Sequence, residues 1–268
     1  MRKTRIVVPC YNESQRLQPQ SFLAALHNDP SLSFLFVNDG SNDDTLRVLN
    51  AIRDNNPAQV DVLDLEVNCG KAEAVRRGVL EAAEGPFAYV GYWDADLATP
   101  LEVIPEFCGV LEQRQVDAVL GARVRLLGRK IKRRPLRHYL GRIFATFASL
   151  LLGMNIYDTQ CGAKIFRNST ALKIVFSSPF KVSWTFDVEL LARFPLVLEV
   201  SSDEVCANWV EFPLQEWHDV KGSKVCMADY LKALAEFATL FLYLRTPARK
   251  GYKRYLDGWG SRPVASRV

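Results

Sequence analysis

The sequence predicts an α/β fold: a Rossmann-like, mostly parallel central sheet flanked by helices. Three observations predict it. The first half alternates apolar runs with helix-period segments, the trace left by strand–helix–strand crossovers. Several of those runs are continuously apolar, as strands covered on both faces are. Four polar clusters follow them, at residues 10–13, 38–41, 68–71 and 94–96, and ligands of such sheets bind beyond the carboxyl ends of the strands.

The elements follow in order. "RIVVP", residues 5–9, is the first strand, and "SFLFVND" the second, ending at Asp39. "SNDDTLRVLNAIRDN" is a helix whose Ser41 and Asp44 have capping-box spacing. "QVDVLDLE" alternates with period two and is a third strand; "KAEAVRRGVLEAAEG" is a helix stopped by Gly85. "PFAYVGYW" and "VDAVLGA" are strands four and five. Between them "LEVIPEFCGVLEQR" is helical provided Pro105 sits in its first turn. The second half is less regular. It offers a basic loop, an apolar helix over 139–153, a short helix near 169–176, the helical "FDVELLARF", a strand pair within 197–213 and a helix over 228–244. We expect one large domain over 1–225 and a C-terminal amphipathic helix with a basic tail over 226–268.

Composition is that of a globular protein: 268 residues, 49% hydrophobic and 24% charged. Cys10, Cys69, Cys108, Cys161, Cys206 and Cys226 form no CxxC pair, which excludes a zinc ribbon and suggests reduced thiols of a cytosolic protein. The longest uncharged stretch, 143–157, has 15 residues, short of the ~20 a spanning helix needs, and the N-terminal apolar run is too short for a signal peptide. The net charge of +4 conceals an asymmetry. Residues 123–142 hold nine Lys/Arg and no acid, leaving 25 basic against 30 acidic residues elsewhere. Basic residues leading into an apolar helix suit an anionic membrane surface or a lipid phosphate. No nucleic-acid-binding motif accompanies them, so nucleic acid is not expected as a partner.

Asp94 and Asp96 end the aromatic run "YVGYW". If strand alternation continues through them, both carboxylates point to one side and attract a hard divalent cation, Mg²⁺ or Mn²⁺; the alternative is a solvated loop. Asp39, free beyond its strand, is placed to accept hydrogen bonds from a nucleobase or ribose. Gly70 and Lys71 open a helix and suit an anion. His218 is either a third metal ligand or an ordinary exposed histidine.

The motifs "VVPCYNE", "VNDGSNDDT", "NCGKAEAVRRG", "WDADLATP", "LGAR", "DTQCGAKIFR", "WTFDVELLAR" and "GSKV", in this order, resemble glycosyltransferase family 2. The nearest likeness is to polyprenyl (dolichyl)-phosphate β-glucosyltransferases and their mannosyltransferase relatives. The resemblance spans residues 6–225 and implies a GT-A fold, a nucleotide-sugar donor, a divalent metal and inversion at the sugar carbon. It assigns Pro9, Tyr11, Glu13 and Asp39 to nucleotide binding, with Lys71 at the "GK" position. Asp94 and Asp96 match the D-x-D, the second being the firmer metal ligand. Arg123, Gln160 and Lys224 fall at phosphate-contact or site-lining positions. Cys10 replaces a small residue. Ala98 stands where mannosyltransferases often have Gln, which favours a UDP-sugar such as UDP-glucose over GDP-mannose.

The implied reaction displaces UDP from the anomeric carbon. A phosphate monoester acceptor, with a second pKa near ~6, attacks without a base, and Arg123 and Arg137 are the expected acceptor-phosphate contacts. A sugar hydroxyl needs a base, and Asp187 of "FDVELL" is the candidate, Glu189 the lesser one. A polyprenyl phosphate acceptor places the protein peripherally at the cytoplasmic face of a membrane. The rivals are a soluble transferase acting on a hydroxyl and a non-catalytic nucleotide-sugar-binding protein.

Overall fold

The protein is represented by a computed structural model that describes residues 2–132, 135–218 and 227–260. In chain order the elements are β1 (Thr4–Cys10), α1 (Pro19–Asn28), β2 (Leu32–Asp39), α2 (Thr45–Asn55), β3 (Val60–Leu65), α3 (Lys71–Glu84), β4 (Tyr89–Trp93), α4 (Ile104–Gln113), β5 (Ala118–Ala122) and β6 (Lys130–Lys132). There follow α5 (Pro135–Leu152), β7 (Ala163–Arg167), α6 (Thr170–Ser177), α7 (Phe186–Leu198), α8 (Ser202–Ala207), β8 (Trp209–Pro213), β9 (Glu216–His218), α9 (Met227–Arg245) and α10 (Arg249–Gly260). Seven strands form one sheet in the order β3-β2-β1-β4-β7-β5-β8. The pairs β1–β2, β1–β4 and β2–β3 are parallel, and β4–β7 is antiparallel. The expected mostly parallel α/β sheet is therefore present.

The chain divides into two compact units: Met1–Val119 with Gly162–Ser169, and Leu120–Cys161 with Thr170–Val268. In the first unit every residue of β2 and β4 is buried, which is why those segments read as unbroken apolar runs. The edge strand β3 keeps Val60 and Leu65 in and Asp61 and Asp64 towards water, with Val62 and Leu63 both half-buried, so the expected period-two alternation slips by one residue in mid-strand. Phe22 of α1 sits edge-on to Phe34 and Phe36, with centroids 5.1 and 5.0 Å apart. Pro105 lies in the first turn of α4, after a 3₁₀ turn at Leu101–Val103.

The second unit is built around α7. Ten of its side chains are buried, Asp187, Glu189 and Arg193 among them. Arg193 donates to the carbonyls of Val175, Ser178 and Pro179 at 2.7, 2.8 and 2.7 Å and to Glu189 at 2.7 Å. Glu189 also accepts from Lys181 N, Val182 N and Tyr252 Oη at 2.7, 3.0 and 2.5 Å, which ties α10 to α7. Glu236 of α9 caps the start of α7, accepting from the Thr185 amide at 2.7 Å and its hydroxyl at 2.8 Å, and from the amides of Ser183 and Trp184. These donors hold the Glu236 carboxyl below the usual range against the opposing effect of burial. Helices α5 and α9 lie side by side: the rings of Phe144 and Phe237 are 4.8 Å apart. Arg245 binds the carbonyls of Leu151 and Leu150 at the end of α5. A separate two-stranded parallel sheet joins β6 to β9.

Two local expectations are corrected. Ser41 and Asp44 form no capping box: α2 starts at Thr45, and Asp43 accepts from the Thr45 amide instead, at 3.0 Å. Ser41 Oγ takes the Asn12 amide. The strand pair expected within 197–213 is one helix, α8, and one strand, β8; the capping box lies there, on Ser201 and Glu204. Helices α1 and α10 and strands β6, β7 and β9 carry patterns too short or too mixed to be read beforehand.

Candidate functional site

The first unit brings its four polar clusters together. Strand order reverses between β1 and β4, so the turn after β1 and the turn after β4 flank the switch point, the usual ligand crevice of such sheets. The turn after β1 carries Tyr11 and Glu13. Asn12, at φ 53°, accepts the Asn42 amide through Oδ1 at 2.9 Å, and the Glu13 amide donates to Thr45 Oγ1 at 2.8 Å. The buried Glu13 carboxylate is held by Arg16 Nε at 2.8 Å. Pro9 is half-buried in β1.

Asp39, at the end of β2, is not free. Its two oxygens accept the amides of Cys69 and Gly70 at 2.7 and 2.9 Å, which fixes the loop that opens α3. Gly40 has φ 61°, and a Cβ there would lie 2.3 Å from Asn68 N, so the loop comes this close only because the residue is glycine. Gly70 then starts α3 at φ 87°, and Lys71, first residue of the helix, reaches across to Asp94 Oδ1 at 2.5 Å.

β4 stops at Trp93, so strand alternation does not continue through Asp94 and Asp96. The two carboxylates are neighbours all the same. Burial first, then the charges of Asp94 and Glu13, push the Asp96 carboxyl above its usual range, while the Ala98 amide at 3.0 Å and Lys71 oppose the rise. Asp94 owes its position to Gly162: a Cβ there would fall 2.0 Å from Asp94 Oδ2. Two crowded acids, one with a raised pKa and one in a cradle that no larger residue would leave open, suit a hard divalent cation. Among the described residues no three His, Cys, Asp or Glu are grouped to hold a metal, so Asp94 and Asp96 would be its protein ligands. His218, exposed at the end of β9, belongs to no such group.

In the second unit Arg123 follows β5 and grips Asp158 with one edge of its guanidinium. Nε and Nη2 donate to Oδ2 and Oδ1 at 2.6 and 2.7 Å, and the Arg123 amide adds a third bond at 3.0 Å. The Gln160 amide donates to the same Asp158 at 3.2 Å, so Arg123 and Gln160 meet on one carboxylate. Asp187 lies buried in the first turn of α7. The side chain of Arg137 and the whole of Lys224 lie outside the described residues. Arg16, Asp158 and Gly162 are the site-forming residues that the sequence alone did not single out. Only Asp158 and Gly162 had a signal, standing within "DTQCGAKIFR".

The glycosyl transferase family 2 model matches residues 5–174. A dolichyl-phosphate beta-glucosyltransferase of Trichomonas vaginalis is 30% identical over 255 residues, covering 90% of this chain and 72% of the relative. One of Drosophila melanogaster is 34% identical over 221 residues, covering 77% and 66%. Among solved structures, glucosyl-3-phosphoglycerate synthase from Mycobacterium tuberculosis, crystallised with Mn²⁺ and UDP-glucose, superposes with a TM-score of 0.62 at 17% identity, covering 92% of this chain and 80% of that one. That likeness establishes the GT-A fold. With the family match reaching from β1 through the D-x-D and Arg123 to β7, this chain belongs to glycosyl transferase family 2 and is a glycosyltransferase.

Proposed function

We propose that the chain moves a hexose, glucose, from UDP-glucose to a polyprenyl phosphate, with inversion, at the cytoplasmic face of a membrane. The observation that carries this reading is the likeness to two dolichyl-phosphate beta-glucosyltransferases over at least three quarters of the chain. The chemistry of the site agrees with it. Pro9, Tyr11, Glu13 and Lys71 receive the nucleotide sugar, with Asp39 contributing the lone pairs left beside the Cys69 and Gly70 amides. Asp96 and Asp94 would hold a Mg²⁺ or Mn²⁺ ion, which would supply charge neutralisation for the departing diphosphate. An acceptor phosphate oxygen forms the new bond to the anomeric carbon as the bond to UDP breaks, and UDP leaves with the electron pair. The acceptor is largely dianionic at neutral pH, so no proton must be removed. Arg123, Arg137, Gln160 and Lys224 hold its phosphate.

A lipid acceptor requires a membrane face, and the second unit has a suitable one. α5 exposes Ile143, Phe147 and Leu150, and its neighbour α9 exposes Leu234, Phe241 and Leu242. The turn at Leu126 and Leu127 is exposed as well, between Arg125 and Arg129. No helix among the described residues is long and apolar enough to cross a membrane, so these helices would lie in the interface. On this reading residues 1–225 form the catalytic domain and 226–268 its membrane-side extension.

The test is a panel of UDP- and GDP-sugars offered with polyprenyl phosphate in anionic liposomes, with and without Mn²⁺. We expect transfer from UDP-glucose that stops in EDTA, and sedimentation with liposomes that reverses at high salt. Arg137→Ala should raise the KM for polyprenyl phosphate more than that for UDP-glucose. Indifference to liposomes, with a soluble sugar glycosylated equally well by Arg137→Ala, would overturn the reading and make Asp187 the general base.

A further inference from the structure

Arg123 is held by Asp158, and Asp158 is itself held. Glu211 of β8 lies against the Tyr157–Asp158 peptide with one carboxylate oxygen on each amide: Oε2 accepts Tyr157 N at 2.8 Å and Oε1 accepts Asp158 N at 2.9 Å. Arg142 of α5 takes the same peptide from another direction. Its guanidinium stacks 3.7 Å from the centre of the Tyr157 ring and donates to the Tyr157 carbonyl at 3.0 Å. Beyond Asp158, the Arg123 guanidinium lies 5.3 Å from the centre of the Trp217 ring. These groups all belong to the second unit.

The arrangement is costly as packing. Glu211 is half-buried beside a second carboxylate, and burial followed by the Asp158 charge pushes its carboxyl up, against the two amides and Arg142. Two neighbouring acids repel one another, and the cations that offset this, Arg123 on Asp158 and Arg142 beside Tyr157, are held in place by the same arrangement. What they achieve jointly is geometric: one carboxylate fixes the backbone that carries the other, and the second fixes a planar guanidinium through two parallel bonds to its Nε and Nη2.

We propose that Glu211 is a positioning residue for Arg123, acting through the Tyr157–Asp158 peptide. The proposal rests on the reading of Arg123 as an acceptor-phosphate contact. Glu211 touches no substrate. It sets the angle at which the guanidinium fork is presented, and a fork displaced by about 1 Å loses bidentate geometry. Lysine in place of Arg123 would not restore it, because an ammonium lacks the fixed pair of parallel N–H donors that Asp158 takes.

Two readouts test this on the whole 268-residue chain. The first is spectroscopic: Trp217 reports the guanidinium beside it, and its share of the emission is isolated by subtracting Trp217→Phe. Glu211→Ala should shift that share as Arg123→Ala does; an unchanged Trp217 component overturns the proposal whatever the substrate is. The second is a double-mutant cycle on the KM for polyprenyl phosphate. Glu211→Ala should raise that KM about tenfold in the native background, leave the donor KM within about twofold, and have almost no further effect in Arg123→Ala. An equal loss in both backgrounds, or a fall in thermal midpoint with unaltered kinetics, would reduce Glu211 to a structural acid and overturn the proposal. If Glu211→Ala does not fold, Glu211→Gln keeps one acceptor oxygen and supports the same comparisons at smaller amplitude. If Arg123→Ala leaves the polyprenyl phosphate KM unchanged while Glu211→Ala still moves the Trp217 signal, positioning stands and the phosphate-contact role of Arg123 is what fails.

Discussion

The carboxylates after β4 and those around α7 have opposite circumstances. Glu189 accepts from Arg193, Tyr252 and two backbone amides, and Glu236 accepts from the amides and hydroxyls that begin α7. Each is buried with its bonding capacity answered from within the protein. Asp94 and Asp96 are crowded against one another, with Lys71 and the Ala98 amide as counterweights; burial first, and then the repulsion, still raise Asp96. Burial alone therefore does not distinguish a structural acid from a ligand-binding one. The surplus of negative charge over internal donors does, because that surplus is what a cation from outside removes.

The contrast is sharpest when one acid is removed from each region. Glu189→Ala leaves the Arg193 guanidinium buried without its carboxylate and should cost about 3–5 kcal/mol of stability in chemical denaturation; a loss below about 1 kcal/mol would erase the distinction. Asp96→Asn should do the reverse. Turnover falls at least a hundredfold, roughly 3 kcal/mol of barrier at ~1.4 kcal/mol per decade, while the unfolding midpoint stays or rises because a repulsion has been relieved. Near-native turnover in this variant, or full activity in EDTA, would remove the cation from the site.

A smaller effect should appear on acidification. The Glu236 carboxyl is held low, so its contribution to stability is complete above the ordinary carboxylate range and is lost only as pH falls through its lowered folded value. The Asp96 carboxyl is held high. The folded state therefore binds that proton more readily than the unfolded chain does, and as pH falls through the raised value Asp96 adds stability while the site loses its hold on a cation. Activity should accordingly fail at a higher pH than folding does. Profiles of kcat/KM and of thermal midpoint from neutral to acid pH check this, and coincident loss of the two would contradict it.

These contrasts also explain what the sequence could reveal. The strands of the first unit are legible because burial on both faces of β2 and β4 demands unbroken apolar runs, and the edge position of β3 admits Asp61 and Asp64 among its apolar residues. Asp94 and Asp96 are legible because two acids after such a run have no packing reason to be there. The second unit hides its logic. Glu236 caps a helix some fifty residues away, and Glu211 binds the peptide of residues 157–158. In neither case does local spacing record the partner, since the bonds go to backbone amides that every residue type provides. Asp39 misled for a related reason: the amides that occupy it come from a loop thirty residues on. The boundary of α2 was misplaced because Asp43 and Asp44 both suit a helix start, and only geometry chooses between them.

The pairing of α5 with α9 has a practical side. Arg245 fastens the end of one helix to the other, and Phe144 against Phe237 fastens them a few turns earlier, so the exposed side chains of both move as one plank. Six large apolar residues on a single plank make an adhesive surface in water. Purified without lipid or detergent, the protein should self-associate through this face. Its colloidal behaviour then becomes an inexpensive assay: conditions that keep it monodisperse are those that cover the plank, and replacing Phe147 and Phe241 with serine should restore solubility in plain buffer.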